Sequence, residues 1–167
     1  MHDLYVRDIL KYCGGTLICG DDDKVIGDIV TDSRIVEYNQ VYVGIKGDKF
    51  DGNDFIEEAI KKGASIVITS KEIKEYDNVT IVYVKDTIEC LQKLATYKRS
   101  LYDIPVIAVT GSVGKTSTKD IIYSVVSRKY NTLKTIGNYN NHLGVPLTIL
   151  NLREHNALVI EMGMNHL

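Results

Sequence analysis

Apolar residues recur along this chain in two alternating rhythms, short β-branched runs and longer stretches at helical spacing, punctuated by glycine, asparagine and aspartate. Leu4, Ile9 and Leu10 fall on one helical face, with Asp3 placed to cap that helix and Gly14-Gly15 to end it. Strands are expected over residues 16–19, 25–31 and 41–45. Asp54 or Asn53 then caps a helix carrying Phe55, Ile56, Ala59 and Ile60 and stopped by Gly63, and strands follow over residues 65–69 and 80–84. Residues 86–101 form a long helix with Ile88, Leu91, Leu94 and Ala95 on one side. From Ile104-Pro105 the pattern runs strand, glycine-rich loop, helix (residues 116–129, with Ile121, Ile122, Val125 and Val126 together), strand (131–135), asparagine-rich loop, short helix and strand (156–160). Such alternation implies an α/β fold built on mainly parallel sheets flanked by helices, with ligands collecting at the carboxyl ends of the strands. The break in pattern divides the chain at residues 1–84 and 85–167.

Composition narrows the possibilities. With 167 residues, 44% hydrophobic and 25% charged, the chain can fill one well-packed domain or two small ones. A net charge of -2 offers no basic face for nucleic acid. No run approaches the roughly 20 apolar residues a membrane span needs, and the amino terminus lacks the regions of a signal peptide, so a cytoplasmic protein is expected. Cys13, Cys19 and Cys90 are spaced like neither a zinc site nor a disulfide framework and read as small apolar residues.

The chemistry concentrates first in Thr110-Gly111-Ser112-Val113-Gly114-Lys115-Thr116-Ser117, which follows a β-branched run directly. Glycines let the backbone turn its N–H groups onto phosphate oxygens, Lys115 supplies a charge for the terminal phosphates, and Thr116 offers a hydroxyl to Mg²⁺. The following helix aims its positive dipole end at the same anion. Val109 stands where the strict Walker pattern has its first glycine, so strand, loop and helix in the right order carry the assignment to ATP. The alternative is a glycine-serine turn in some other α/β protein.

Three further clusters lie where such a fold gathers ligands. Gly137-Asn138-Tyr139-Asn140-Asn141-His142-Leu143-Gly144-Val145-Pro146 is either an ordinary turn or, through its three asparagines, a set of neutral donors and acceptors for sugar hydroxyls, phosphate oxygens and amides. Glu161 ends an apolar strand, where a carboxylate needs a partner: Mg²⁺ beside the nucleotide, or a structural lysine or arginine. His166 follows it as a second metal candidate or a surface histidine. Thr31-Asp32-Ser33-Arg34 can satisfy a base, a ribose or a diphosphate, or can form an Asx-type turn with a local salt bridge.

Taken together these segments resemble the Mur ligases, which build the peptidoglycan stem peptide. Thr31-Asp32-Ser33-Arg34, Gly47-Asp48, Asp51-Gly52, Asp54-Phe55-Ile56 and Gly63-Ala64 are similar to the family's first domain. The loop from Thr110 to Thr116 is similar to its ATP loop, which also lacks the first Walker glycine. The asparagine loop with Gly144-Val145-Pro146-Leu147-Thr148, and Ile160-Glu161-Met162-Gly163-Met164-Asn165-His166, look most like the branch that handles D-alanyl-D-alanine. Two departures stand out: Asn39 where a turn glycine is expected, and Asn53 where the family has histidine in Asp-Gly-His.

The resemblance implies a small N-terminal α/β UDP-substrate domain followed by the first part of an ATPase domain with a mainly parallel sheet. It implies ATP and Mg²⁺ as cofactors and a monomeric enzyme joining D-alanyl-D-alanine to UDP-MurNAc-tripeptide through an acyl phosphate. Lys115 is then catalytic, Thr116, Glu161 and His166 hold metal, Asp32, Ser33 and Arg34 meet the UDP end, and Asn138, Asn140 and Asn141 face the muramoyl portion. The family continues past the Glu161 strand with a metal-bridging modified lysine and a third, Rossmann-like domain. The 167 residues are thus expected to be an N-terminal fragment unable to complete ligation. A tripeptide-forming Mur ligase, a folate or cyanophycin type ligase, and a non-catalytic phosphate-loop module remain the alternatives.

Overall fold

The computed structural model describes residues 2–163. Within them the chain forms two units, Asp3–Leu94 and a second from Ala95 onward joined by His2.

In the first unit, strands β1 (Thr16–Cys19), β2 (Ile29–Val30), β3 (Val41–Val43), β4 (Ile66–Thr69) and β5 (Thr80–Tyr83) form one sheet in the order β1-β5-β4-β3-β2. All neighbours are parallel except β1 against β5. The inner strands read as unbroken apolar runs because both sheet faces are covered. Tyr42, Val67 and Ile81 align across three strands and pack with Val36, Ile56, Ala59, Ala64 and Val79 on one face. Helices α1 (Val6–Cys13), α2 (Ile56–Lys61) and the start of α3 (Thr87–Ser100) complete the unit.

Several helix ends differ from expectation, each for a local reason. Asp3 does not cap α1; Tyr5 occupies that position and Asp8 accepts a hydrogen bond from its N–H at 2.8 Å. Neither Asn53 nor Asp54 caps α2, because the Asp51 side chain accepts from the Asn53 N–H and winds Gly52–Phe55 into a 3-10 turn first. The strand expected over residues 25–31 contracts to Ile29–Val30, with Val25 instead bridged to Tyr5. Asn39 does adopt positive φ, at 67°, as its place in a turn requires.

In the second unit, β6 (Val106–Val109), β7 (Thr132–Lys134) and β8 (Ala157–Glu161) form a parallel sheet in the order β6-β8-β7. The last strand therefore inserts between the first two. Helices α4 (Lys115–Val126) and α5 (Gly144–Leu150) pack against β8. The apolar stripe expected on α4 splits: Ile122 and Val126 are half-buried, whereas Ile121 and Val125 are 65% and 64% exposed. Val106 and Ile107 of β6 are exposed as well. A three-stranded sheet is too narrow to cover both rows of α4, and its β6 edge has no neighbour among the described residues.

Candidate functional site

Strand order builds the site. Parallel pairing sets Val109 opposite Glu161, so the carboxylate at the end of β8 stands beside the point where β6 passes into the Thr110–Thr116 loop. The Met162 N–H donates to the Val109 carbonyl at 2.9 Å and fixes that juxtaposition.

The loop itself turns on Gly114, whose φ of 76° lies in the left-handed region that a side chain disfavours. Helix α4 starts immediately after it, at Lys115 rather than Thr116, and the Thr118 N–H donates to the Gly114 carbonyl at 2.9 Å. The remaining N–H groups of the first turn have no intrahelical acceptor and face the loop, as at any helix start. Lys115 folds back over the loop and donates to the Gly111 carbonyl at 2.7 Å. Gly111, Ser112, Val113 and Thr116 are exposed. The loop is thus an open cradle of donors with one lysine laid across it.

Glu161 is 1% exposed, yet two neutral groups hold it. The Thr116 hydroxyl donates to its carboxylate at 3.0 Å and the Asn140 amide donates at 2.8 Å. Among the described residues no lysine, arginine or histidine forms an ion pair with it. The structural ion pair allowed for from sequence is therefore not what satisfies this carboxylate. A buried negative charge held only by neutral donors favours a hard cation, and a carboxylate beside a hydroxyl offers the oxygen ligands that Mg²⁺ selects. His166 lies outside the described residues.

The three asparagines go separate ways. Asn140 reaches Glu161, and its carbonyl accepts from the Gly163 N–H at 2.7 Å. Asn141 turns its side-chain oxygen onto the N–H groups of Leu143 and Gly144, at 3.1 and 2.8 Å, and so organises the start of α5. Asn138 is exposed, and its carbonyl accepts from the Asn140 N–H. The loop closes tightly on itself: a Cβ on Gly144 would come within 2.5 Å of the Tyr139 backbone.

In the first unit, Asp32, Ser33 and Arg34 form the turn-and-salt-bridge arrangement. Asp32 accepts from the Arg34 N–H at 3.0 Å and pairs with its guanidinium at 2.7 Å. Those bonds pull the Asp32 carboxyl down to about 2. Ser33 is buried and donates to Glu58 at 3.1 Å. The Arg34 side chain is largely exposed and its remaining donors face outward. Asn53 is buried and serves four hydrogen bonds: it donates to Asp51 and Ser70, and accepts from the Thr69 hydroxyl and the Ser70 N–H.

Two residues at the site escape sequence reasoning. Lys119, one turn along α4 from Lys115, is 2% exposed and donates to the carbonyls of Thr135 and Gly137 at 3.0 and 3.4 Å. Thr135, fully buried, accepts from the Glu161 N–H through its hydroxyl at 3.0 Å. The available signal was the position of Lys119 three and seven residues before Ile122 and Val126, on the row that faces the sheet.

Comparison with known proteins covers both units. Residues 25–99 match the Mur ligase family, catalytic domain, and residues 109–167 match the Mur ligase middle domain. The UDP-N-acetylmuramoyl-tripeptide–D-alanyl-D-alanine ligase of Bacillus subtilis is 39% identical over 163 residues, which cover 96% of this chain and 36% of that protein. The Escherichia coli ligase of the same name is 38% identical over 145 residues, covering 86% and 32%. Among solved structures, MurF from Acinetobacter baumannii superimposes with a TM-score of 0.89 at 34% identity, covering 99% of this chain and 37% of that one. MurF from Thermotoga maritima in complex with ADP gives 0.74 at 38% identity, covering 83% and 32%. The chain spans about a third of the length of the relatives it matches.

Proposed function

We propose that this chain, which belongs to the Mur ligase family, carries the UDP-substrate region and the first part of the ATP-binding region of a ligase that joins D-alanyl-D-alanine to UDP-MurNAc-tripeptide. The observation that carries the reading is the meeting of Thr116 and Asn140 on the buried Glu161 carboxylate, at the mouth of the Gly111–Lys115 loop. It brings a phosphate cradle, a metal-type oxygen pair and the asparagine loop into one place.

In this reading the terminal carboxylate of the tripeptide attacks the γ-phosphorus of ATP, and ADP leaves with the electrons of the broken P–O bond. The amine of D-alanyl-D-alanine then attacks the acyl phosphate carbonyl, phosphate leaves, and the amine proton is lost to give the amide. ATP is needed because a carboxylate is a poor electrophile with no good leaving group. Loop N–H groups and Lys115, released from Gly111, neutralise the transferring phosphoryl group, and positioning supplies most of the remaining acceleration. Thr116 and Glu161 are the residues that would hold Mg²⁺, which when bound screens charge between nucleotide phosphates and acceptor carboxylate. In this reading Arg34, exposed and paired through two of its guanidinium nitrogens with Asp32, meets the UDP end with its remaining donors, and exposed Asn138 is available to the muramoyl part.

The exposure of Val106 and Ile107 on β6 and of Ile121 and Val125 on α4 also supports the ligase reading, since parallel sheets are ordinarily covered on both faces and the ATPase domain of this reading is larger than the three strands described. The test is phosphate release from ATP in the presence of UDP-MurNAc-tripeptide and D-alanyl-D-alanine, run on the 167-residue chain beside a form extended to the length of its relatives. Turnover by the extended form alone is expected. A response to UDP-MurNAc-dipeptide instead would make it a tripeptide-forming ligase. Nucleotide binding with no response to either, and no competition by UDP, would reduce it to a phosphate-loop module.

A further inference from the structure

Lys119 is a charged side chain buried at the foot of the site, where neither the loop chemistry nor the metal-type pair uses it. It donates to the carbonyls of Thr135 and Gly137 and lies 3.5 Å from a carboxylate oxygen of Asp120 that Lys134 holds at 2.8 Å. Each carbonyl belongs to a residue that governs Glu161 or its partner. Thr135 fixes the Glu161 backbone through its hydroxyl and continues β7 by donating its own N–H to the Val159 carbonyl at 3.1 Å. Gly137, with φ of 55°, opens the asparagine loop, whose far side is pinned where Asn140 meets Glu161 and Gly163.

The lysine therefore ties the helix that begins at the phosphate loop to the start of the loop that supplies Asn140. A buried ammonium group is expensive to desolvate, and an apolar residue at this place on α4, in line with Ile122 and Val126, would pack at less cost. What the lysine adds over such a residue is a directional grip on two carbonyls.

We infer that Lys119 is a positioning residue that holds the asparagine loop against the phosphate-loop helix, so that Asn140 reaches the Glu161 carboxylate that Thr116 already holds. This rests on the ligase reading above only for the kinetic consequence; the structural consequence can be measured without it. By this role Lys119 sets affinity for the muramoyl substrate and leaves ATP affinity to the loop.

The experiment compares Lys119→Met, similar in volume and without a donor, and Lys119→Arg, which keeps the charge and donors, with the native protein. Hydrogen exchange is read at the amides of Asn140 and Gly163, which donate within the loop region, and at Thr118 on α4. In Lys119→Met, exchange at Asn140 and Gly163 should rise about tenfold or more, with Thr118 unchanged, as a lost charged hydrogen bond predicts. In the extended protein the KM for UDP-MurNAc-tripeptide should rise by about tenfold and the KM for ATP by less than about twofold. Lys119→Arg should return both readings to within about threefold of native; if the methionine variant does not fold, the arginine variant alone decides, and a tenfold change in it would overturn the role. Unchanged loop exchange in folded Lys119→Met, or an equal rise in both KM values, would also overturn it. Native extended protein that shows no tripeptide-dependent turnover would sink the ligase reading instead, leaving the exchange measurement to judge Lys119.

Discussion

The Thr116 hydroxyl donates to a Glu161 carboxylate oxygen at 3.0 Å, joining the first turn of α4 to the end of the central strand across 45 residues of sequence. Local sequence cannot bring these two together; the β6-β8-β7 strand order does. That the acceptor is buried and, among the described residues, held by neutral donors makes its charge the most informative target at the site.

Glu161→Gln keeps the shape while removing the charge; its amide oxygen can still accept from Asn140, and the Thr116 hydroxyl can rotate to accept from its NH2 group. Nucleotide-free stability in chemical denaturation should hold or rise, by up to about 1 kcal/mol, because a buried carboxylate held by neutral donors among the described residues is relieved. Calorimetric titration should show Mg²⁺-dependent ATP affinity falling by about tenfold or more. Lower stability with unchanged Mg²⁺ dependence would mean that Glu161 is only an anchor for Thr116 and Asn140.

Lys115→Ala removes a side chain whose hydrogen bond among the described residues is to the Gly111 carbonyl of an exposed loop. Stability should change by no more than about 0.5 kcal/mol, whereas ATP affinity should drop by about thirtyfold or more. Equal ATP affinity in mutant and native protein would overturn the assignment of the loop.

The Asp32–Arg34 pair makes a signed prediction about pH. Because the folded-state carboxyl is pulled below its ordinary 3.8, to about 2, the pair's contribution is complete above pH of about 4 and is lost as pH falls through about 2. Being solvent-facing, it should move the melting temperature little in that window. NMR titration should place the native Asp32 carboxyl near 2 and return it toward 3.8 in Arg34→Ala; no change between the two would show that the guanidinium is not the cause.

Asn53→Ala deletes a buried amide, leaving the Ser70 N–H without its acceptor and the Thr69 hydroxyl with its longer 3.3 Å contact to the Lys71 carbonyl. A loss of about 2 kcal/mol in denaturant unfolding is expected. A loss below about 0.5 kcal/mol would mean that water or a neighbouring group takes over both donors.

Much of this architecture was legible in the chain itself. Strand and helix periods, the Gly111–Lys115 loop and the Mur-type segments all depend on residues close in sequence, where backbone geometry repeats every two or 3.6 positions. Tyr5 takes the cap position expected of Asp3, and Phe55 that expected of Asn53 or Asp54, while Asp8 and Asp51 supply side-chain acceptors beside them, since several groups near one helix start compete and only the folded backbone selects among them. Periodicity on α4 gave a helix but not the extent of its cover, so Ile121 and Val125 read as core and stand exposed. The alternative readings of the asparagine loop divided residue by residue, with Asn141 serving the turn and Asn140 the carboxylate.

What sequence determined, then, was the set of elements and the chemistry each carries, because both are short-range properties. Tertiary structure alone decided that Glu161 stands beside the phosphate loop, that Asn140 and Thr116 share it, and that Lys119 is buried beneath them. Those facts follow from β8 inserting between β6 and β7, a choice made by long-range packing of apolar strands whose local patterns are nearly the same.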